Sequence, residues 1–282
     1  MMREYVFEVG GELKEMSAEA PPVVLTIAGF DPSGGAGVVA DVKTITAFGC
    51  FAAAAVTSLT YQNTTGVFGA SHQTAETVRA QVLPVVEDFT VAGAKTGMLP
   101  TREVIEEVAR LLRETNLPAP VVDPVVRSTS GYDLIDDAAL DALKKELLPL
   151  ARVVTPNIPE AERITGMSIR DREAMAEAAR MIRAMGARAV LVKGGHLAGA
   201  RSLDVLDEEG EVTYFDAERV ETTSTHGTGC TLAAAIASCL ARGYNVTDAV
   251  ALAKRYVTQA IRGAPGLGRG HGPINHSVAA SF

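Results

Sequence analysis

Cysteine is scarce in this chain. The three present, Cys50, Cys230 and Cys239, form an odd set without zinc-type spacing, which argues against a disulfide framework or a metal finger and suits a reducing cytoplasm. Basic residues are outnumbered, 26 Lys and Arg against 34 Asp and Glu, and the resulting net charge of -8 argues against nucleic acid or an anionic membrane as the main partner. Any phosphate site must then be local, built from backbone and a few cations. The first twenty residues carry five glutamates and no continuous apolar core, so they are neither a signal peptide nor a membrane span. They read as an N-terminal appendage, residues 1–20, ahead of a single domain over 21–282. No G-x-x-x-x-G-K-[ST] occurs, which removes a P-loop. Gly35, Gly37 and Ala40 match G-x-G-x-x-A, yet no Asp or Glu lies between Val42 and Ala75 to hold a ribose, so a dinucleotide site fails.

The 282 residues, 47% hydrophobic, suffice to bury a large core. Short β-branched runs begin at Val23, Ala52, Val91, Val121, Arg152 and Ala189 and read as strands. Helical patterns lie between and after them, over 38–48, 74–86, 101–115, 137–148, 172–185, 230–242 and 246–262. This alternation predicts an α/β fold: a three-layer αβα sandwich with a mostly parallel, doubly wound sheet and ligands at the carboxyl ends of its strands. The runs from Ser202 and Glu211, joined by Glu-Glu-Gly, predict a small antiparallel hairpin at one sheet edge.

Several motifs sit where strands should end. The stretch Thr225-His226-Gly227-Thr228-Gly229-Cys230 precedes an apolar helical run. At a helix start, free N–H groups and the helix dipole favour an anion and lower a thiol's pKa, which suits phosphate binding and a reactive Cys230; a tight turn before a core helix is the plainer reading. After the first strand comes the glycine-rich loop from Gly29 to Gly37, which includes Ala36 and lets a small flat molecule approach the backbone. Asp41 follows one turn into the next helix, either as a hydrogen-bonding carboxylate or as a solvated helix residue. Gln62 and Asn63 end the second strand, where a side-chain amide can read a heterocycle edge or simply begin a turn. Met98 and Val125 offer apolar walls or ordinary core. Asn157-x-x-Glu160 has oxygen ligands for a largely hydrated magnesium, and it also has the form of a helix start. Lys193 beside two glycines could meet phosphate oxygens. The glycine-rich tail from Gly263 reads as a flap or a loose end, with no role assigned to His271 or His276.

Together, LTIAGFDPSGGAGVVADVKT, TSLTYQNTTGV, KTGML, VVDPVVRSTSG, TPNIPEAE, VLVKGGH, THGTGC and GHGP resemble the ordered signatures of the hydroxymethylpyrimidine/phosphomethylpyrimidine kinase family, a ribokinase-like family of thiamin biosynthesis. The resemblance runs from about Val23 to His276. It implies ATP-dependent phosphorylation of 4-amino-5-hydroxymethyl-2-methylpyrimidine and then of its monophosphate, with magnesium, in a homodimer. It further implies that Gly29, Ala36, Asp41, Gln62, Met98 and Val125 line the pyrimidine pocket. Asp123, Asn157 and Glu160 would organise magnesium and phosphates, with Lys193, Asn157 and Thr225 toward ATP. Gly227, Thr228 and Gly229 would form an anion hole, and Cys230 would take the catalytic-base position. Phe30 stands where many relatives have a small residue and Gln62 where some have Glu; a pyridoxine or pyridoxal kinase, a branch that shares the fold and in some members the cysteine, is the nearest alternative, and a catalytically silent pyrimidine-binding module the one from another class.

Overall fold

Residues 20–126, 134–195, 199 and 201–280 are described by the computed structural model. The appendage up to residue 19, the segment 127–131 and His196 lie outside the described residues. In chain order the elements are β1 (Val23–Phe30), α1 (Gly37–Ala47), β2 (Phe51–Asn63), β3 (Gly66–His72), α2 (Ala75–Asp88), β4 (Val91–Thr96), α3 (Arg102–Glu114), β5 (Val121–Val122) and α4 (Asp137–Ala142). They continue with β6 (Val153–Val154), α5 (Ile158–Thr165), α6 (Arg172–Arg183), β7 (Ala189–Lys193), β8 (Arg201–Glu208), β9 (Glu211–Glu218), α7 (Thr228–Ala241) and α8 (Val246–Arg262).

The strands form one sheet in the order β3-β2-β1-β4-β5-β6-β7-β8-β9. Those from β2 to β7 in this order are parallel, and both edges are antiparallel. Because β2 lies on one side of β1 and β4 on the other, the strand order reverses at β1, and a crevice opens there at the carboxyl ends. Successive residues on a strand point to opposite faces, and both faces are apolar. Leu25, Val122, Val154 and Val192 pack with α2 to α6, whereas Val24, Val121, Val153 and Leu191 pack with α1, α7 and α8. The three-layer sandwich expected from the alternation is the one observed. Helix α7 is buried from Thr231 to Cys239, because α1, α8 and β4 all pack on it, which accounts for its nearly continuous apolar sequence.

Three local differences have physical causes. The edge hairpin β8–β9 is present, but a second antiparallel pair, β2–β3, forms at the opposite edge. It was hidden because β3, GVFGASH, faces largely away from the core and lacks strand-like alternation. The helical pattern expected over 137–148 is regular α-helix only to Ala142 and continues as one wide turn and a 3₁₀ turn containing Pro149, which has no N–H to donate back along the chain. The N-x-x-E segment opens a complete helix, α5, which lies outside the helical patterns read from the sequence. No described helix is long and apolar enough to cross a membrane.

Candidate active site

The carboxyl ends of the parallel strands and the start of α7 enclose a cleft of about 590 Å³. Gly29, Ala36, Gln62, Met98 and Val125 line one end of it, together with Phe30, Thr60 and Val67. A Cβ on Gly29 would come within 3.2 Å of Met98 Sδ, so glycine lets the Met98 wall close on the β1 backbone. Thr60 Oγ1 donates to Phe30 O at 2.9 Å and ties the β2–β3 ribbon to this loop. The ribbon is also held from outside. Thr64, at its turn, accepts from the N–H groups of Arg269 (3.2 Å), Gly270 (3.3 Å) and His271 (2.8 Å), so the glycine-rich tail is docked on the ribbon that carries Gln62.

Asp41 requires a correction. It does not line the cleft but lies beneath it, fully buried, accepting from Lys95 Nζ at 2.8 Å and Thr26 Oγ1 at 2.6 Å. A carboxylate at that depth requires a charged partner, and Lys95, which carries no signal of its own in the sequence, supplies it. Burial works against the Lys95 ammonium, but Asp41, Cys230 and Asp123 around it hold its pKa above the ordinary lysine value. Burial raises Asp41, against the pull of Lys95 and Thr26.

Asp123, Asn157, Glu160 and Lys193 meet on another wall. Lys193 Nζ donates to Asp123 Oδ1 at 3.0 Å. Asn157 and Glu160 form a reciprocal capping box at the start of α5: Glu160 N donates to Asn157 Oδ1 at 2.9 Å, and Asn157 N to Glu160 Oε2 at 2.8 Å. The plainer helix-start reading of the N-x-x-E spacing is therefore realised, with both side chains still lining the cleft. Among the described residues no three acidic, His or Cys side chains converge to cage a metal. Two carboxylates and an amide on one wall nevertheless provide the all-oxygen donor set that suits magnesium held largely through water and phosphates.

Burial pushes Glu160 up to about 7, with Lys193 pulling it down and Asp123 adding to the rise. A carboxyl raised in this way keeps a proton that the unfolded chain has released, so it makes stability fall as pH rises from 4.5 through about 7. Glu160→Gln keeps an acceptor for the capping box and removes that dependence. The variant is expected to be more stable than the parent at pH 8 by roughly 1–3 kcal/mol, a gain that vanishes toward pH 5. Urea unfolding at the two pH values measures this, and an equal difference at both would contradict it.

Gly227 caps α7 with φ +82, and a Cβ there would lie 1.8 Å from Gly35 O, so only glycine permits the turn. Among the described residues no side chain caps the helix; Thr228 N donates to Thr225 O at 3.4 Å, and the following first-turn N–H groups, from Gly229 on, are left available to an anion beside Thr225 and Thr228. Cys230 lies in this first turn and in the cleft lining, but its expected lowered pKa is not found. Burial pushes the thiol up to about 12, outweighing the opposite pull of Lys95 and of the Gly37 N–H. Two further residues had no sequence signal. Asp31, almost fully buried, accepts from His226 Nε2 at 2.7 Å and so joins the glycine loop to this turn.

The far end of the cleft is lined by Val220, Leu232, Val257 and Ile261, with Lys254 donating to Asp204 at 2.6 Å and Gly194 N to the same carboxylate at 2.9 Å. Lys254 lies within an ordinary amphipathic helix, and no local pattern sets it apart. His276 pairs with Thr231 Oγ1 at 3.1 Å, outside the cleft lining, and burial pushes it down to about 4. His271 is held through its backbone N–H.

A family model for phosphomethylpyrimidine kinase matches residues 31–275. The chain is 49% identical over 257 residues to the thiamine biosynthesis bifunctional protein ThiED of Geobacter sulfurreducens, an alignment covering 91% of this chain and 52% of that protein, so it spans about half the length of this relative. It is 46% identical over 259 residues to the hydroxymethylpyrimidine/phosphomethylpyrimidine kinase of Streptomyces coelicolor, covering 92% of this chain and 96% of that one. The crystal structure of an ADP complex of Bacillus subtilis pyridoxal kinase superposes with a TM-score of 0.84 at 35% identity, covering 92% of this chain and 98% of the other.

Proposed function

The chain belongs to the phosphomethylpyrimidine kinase family, and from that premise we propose that it uses ATP to phosphorylate 4-amino-5-hydroxymethyl-2-methylpyrimidine, and then the monophosphate, in thiamin biosynthesis. The observation that carries this reading is the joining, in one cleft, of an end bearing a side-chain amide and apolar walls to a glycine turn and lysine suited to phosphate. Gln62 reads the amino-pyrimidine edge, while Gly29, Ala36, Met98 and Val125 enclose the ring.

The acceptor hydroxyl attacks the γ-phosphorus of ATP; its O–P bond forms as the bond to the β-phosphate oxygen breaks, and ADP leaves. The first-turn N–H groups around Gly227, Thr228 and Gly229, together with Lys193, stabilise charge on the transferring group. Cys230 takes the proton released by the hydroxyl. Asp123, Asn157 and Glu160 would hold magnesium, partly through water, and when bound it would offset phosphate charge. Thr225 lies beside the nucleotide phosphates. The working form is a cytoplasmic homodimer; Leu59, Tyr61 and Phe68, exposed on the β2–β3 ribbon, are apolar surface that such an interface would cover.

The close superposition on a pyridoxal kinase at 35% identity keeps one alternative in play. Incubation with Mg-ATP and either hydroxymethylpyrimidine or pyridoxal, with products identified by mass, separates the two. Faster phosphorylation of pyridoxal would reverse the substrate assignment. Absence of turnover with both would favour a silent binding module.

A further inference from the structure

The phosphate-binding turn has to be aimed at the acceptor hydroxyl, yet the start of α7 has no side-chain cap to fix its direction. Besides the Thr228 Oγ1 bond to Thr225 O and the close approach of Gly227 to Gly35, residue 226 ties this turn to the acceptor side. The His226 N–H donates to Gly272 O at 3.1 Å, and the ring packs so closely on Gly35 that a Cβ there would lie 2.6 Å from the ring carbon Cδ2. Nε2 lies 2.7 Å from Asp31 Oδ2. Asp31 also accepts from Ser33 N (2.8 Å), Ser33 Oγ (2.9 Å) and Ala36 N (2.9 Å), so the same carboxylate shapes the glycine loop on the acceptor side.

Burial opposes the ionised form of Asp31, but the bonds from His226 and Ser33 outweigh it and hold the carboxyl below the usual carboxylate range. An ionised carboxylate only accepts hydrogen bonds, so His226 must carry its hydrogen on Nε2. The two residues are 195 positions apart in the chain, and their bond directly links the acceptor loop to the phosphoryl turn.

We propose that His226, oriented by Asp31, is a positioning residue that sets the phosphate turn in register with the acceptor pocket for phosphoryl transfer. This rests on the kinase reading above. Its chemistry is geometric: His226 moves no proton to substrate but fixes where the turn's N–H groups meet the transferring group. Misplacement of such groups by about 1 Å can cost on the order of 10²-fold in rate.

The test uses the full chain with His226→Gln, His226→Asn and Asp31→Asn. Steady-state kinetics with hydroxymethylpyrimidine and ATP are combined with calorimetric titration by ADP, with and without aluminium fluoride as a mimic of the transferring phosphoryl group. The shorter His226→Asn side chain cannot span the distance to Asp31 and is expected to lower kcat by on the order of 10²-fold, with little change in either KM. It should lose the extra affinity conferred by aluminium fluoride while still binding ADP. His226→Gln, whose amide N–H reaches toward Asp31, should recover most of the loss. Asp31→Asn should lower kcat at least as much as His226→Asn, because the same carboxylate also holds the acceptor loop, and adding His226→Asn to it should cost little more.

Unchanged kcat in His226→Asn would overturn the proposal. So would a parallel loss of ADP and ADP–fluoride affinity, or failure of His226→Gln to recover activity, because these mark a merely structural role. The ADP stoichiometry counts folded sites and separates misfolding from misalignment. If the parent chain instead prefers pyridoxal, the functional reading fails while the same ratios remain measurable on pyridoxal.

Discussion

Cys230→Ala is expected to slow single-turnover phosphoryl transfer by about 10²–10⁴-fold, the usual contribution of a general acid–base group, while leaving pyrimidine binding largely intact. The expectation follows from where the thiol sits. It occupies the first turn of α7, next to N–H groups suited to an anion, and lines the cleft. Burial pushes its pKa up to about 12, so the proton is held tightly at neutral pH. A thiolate of that basicity is a strong proton acceptor but a sparse one, and the parent rate should rise with pH across the neutral and mildly alkaline range. The Ala variant should lose that rise. Quench-flow measurement of the first turnover at several pH values reads both effects. A variant as fast as the parent, or one with the same pH slope, would show that the hydroxyl loses its proton elsewhere.

Much of this arrangement is visible in the sequence because it depends on neighbours in the chain. The β-then-α alternation makes the sandwich inevitable once both faces of the strands are apolar, and candidate site residues then fall at strand ends. Gly29, Gln62, Met98, Asp123, Val125 and Lys193 are such cases, and all line the cleft. What stayed hidden depends on contacts far apart in sequence. Lys95 reads as one more strand-end residue until Asp41, 54 positions earlier, is found against it. Asp31 and His226 look like parts of two separate loops. The depth of Asp41 was also illegible, since a helix residue one turn in can face either the cleft or the sheet beneath. Cys230 shows the same limit in energetic form: its helix-start position argues for an acidic thiol, whereas its burial, which no local pattern reports, wins.

The largest stability loss is expected from Lys95→Met. Lys95 and Asp41 are both fully buried, and their 2.8 Å ion pair is the main satisfaction of the carboxylate; among the described residues only Thr26 Oγ1 donates to it besides, and Asp41 Oδ1 has no hydrogen-bond partner. Removing one partner of a buried pair leaves the other charge uncompensated and costs about 3–5 kcal/mol. The sign of its pH dependence follows from Asp41. Burial already raises this carboxyl above 3.8, and loss of the lysine removes the largest influence opposing that rise. A carboxyl that keeps its proton in the folded state, when the unfolded chain has released it, makes stability fall with increasing pH. The deficit should therefore be greatest near pH 8 and shrink as pH is lowered, because holding Asp41 protonated in the folded state then costs less. Lys95→Met combined with Asp41→Asn should recover much of the loss, because the stranded charge is gone. Urea unfolding of the three variants at pH 8 and at a lower pH tests this, and a loss below about 1 kcal/mol, or one indifferent to pH, would refute it. Activity should fall as well. Lys95 draws the Cys230 thiol downward in pKa, so even the double variant, with its stability restored, should phosphorylate more slowly than the parent at neutral pH.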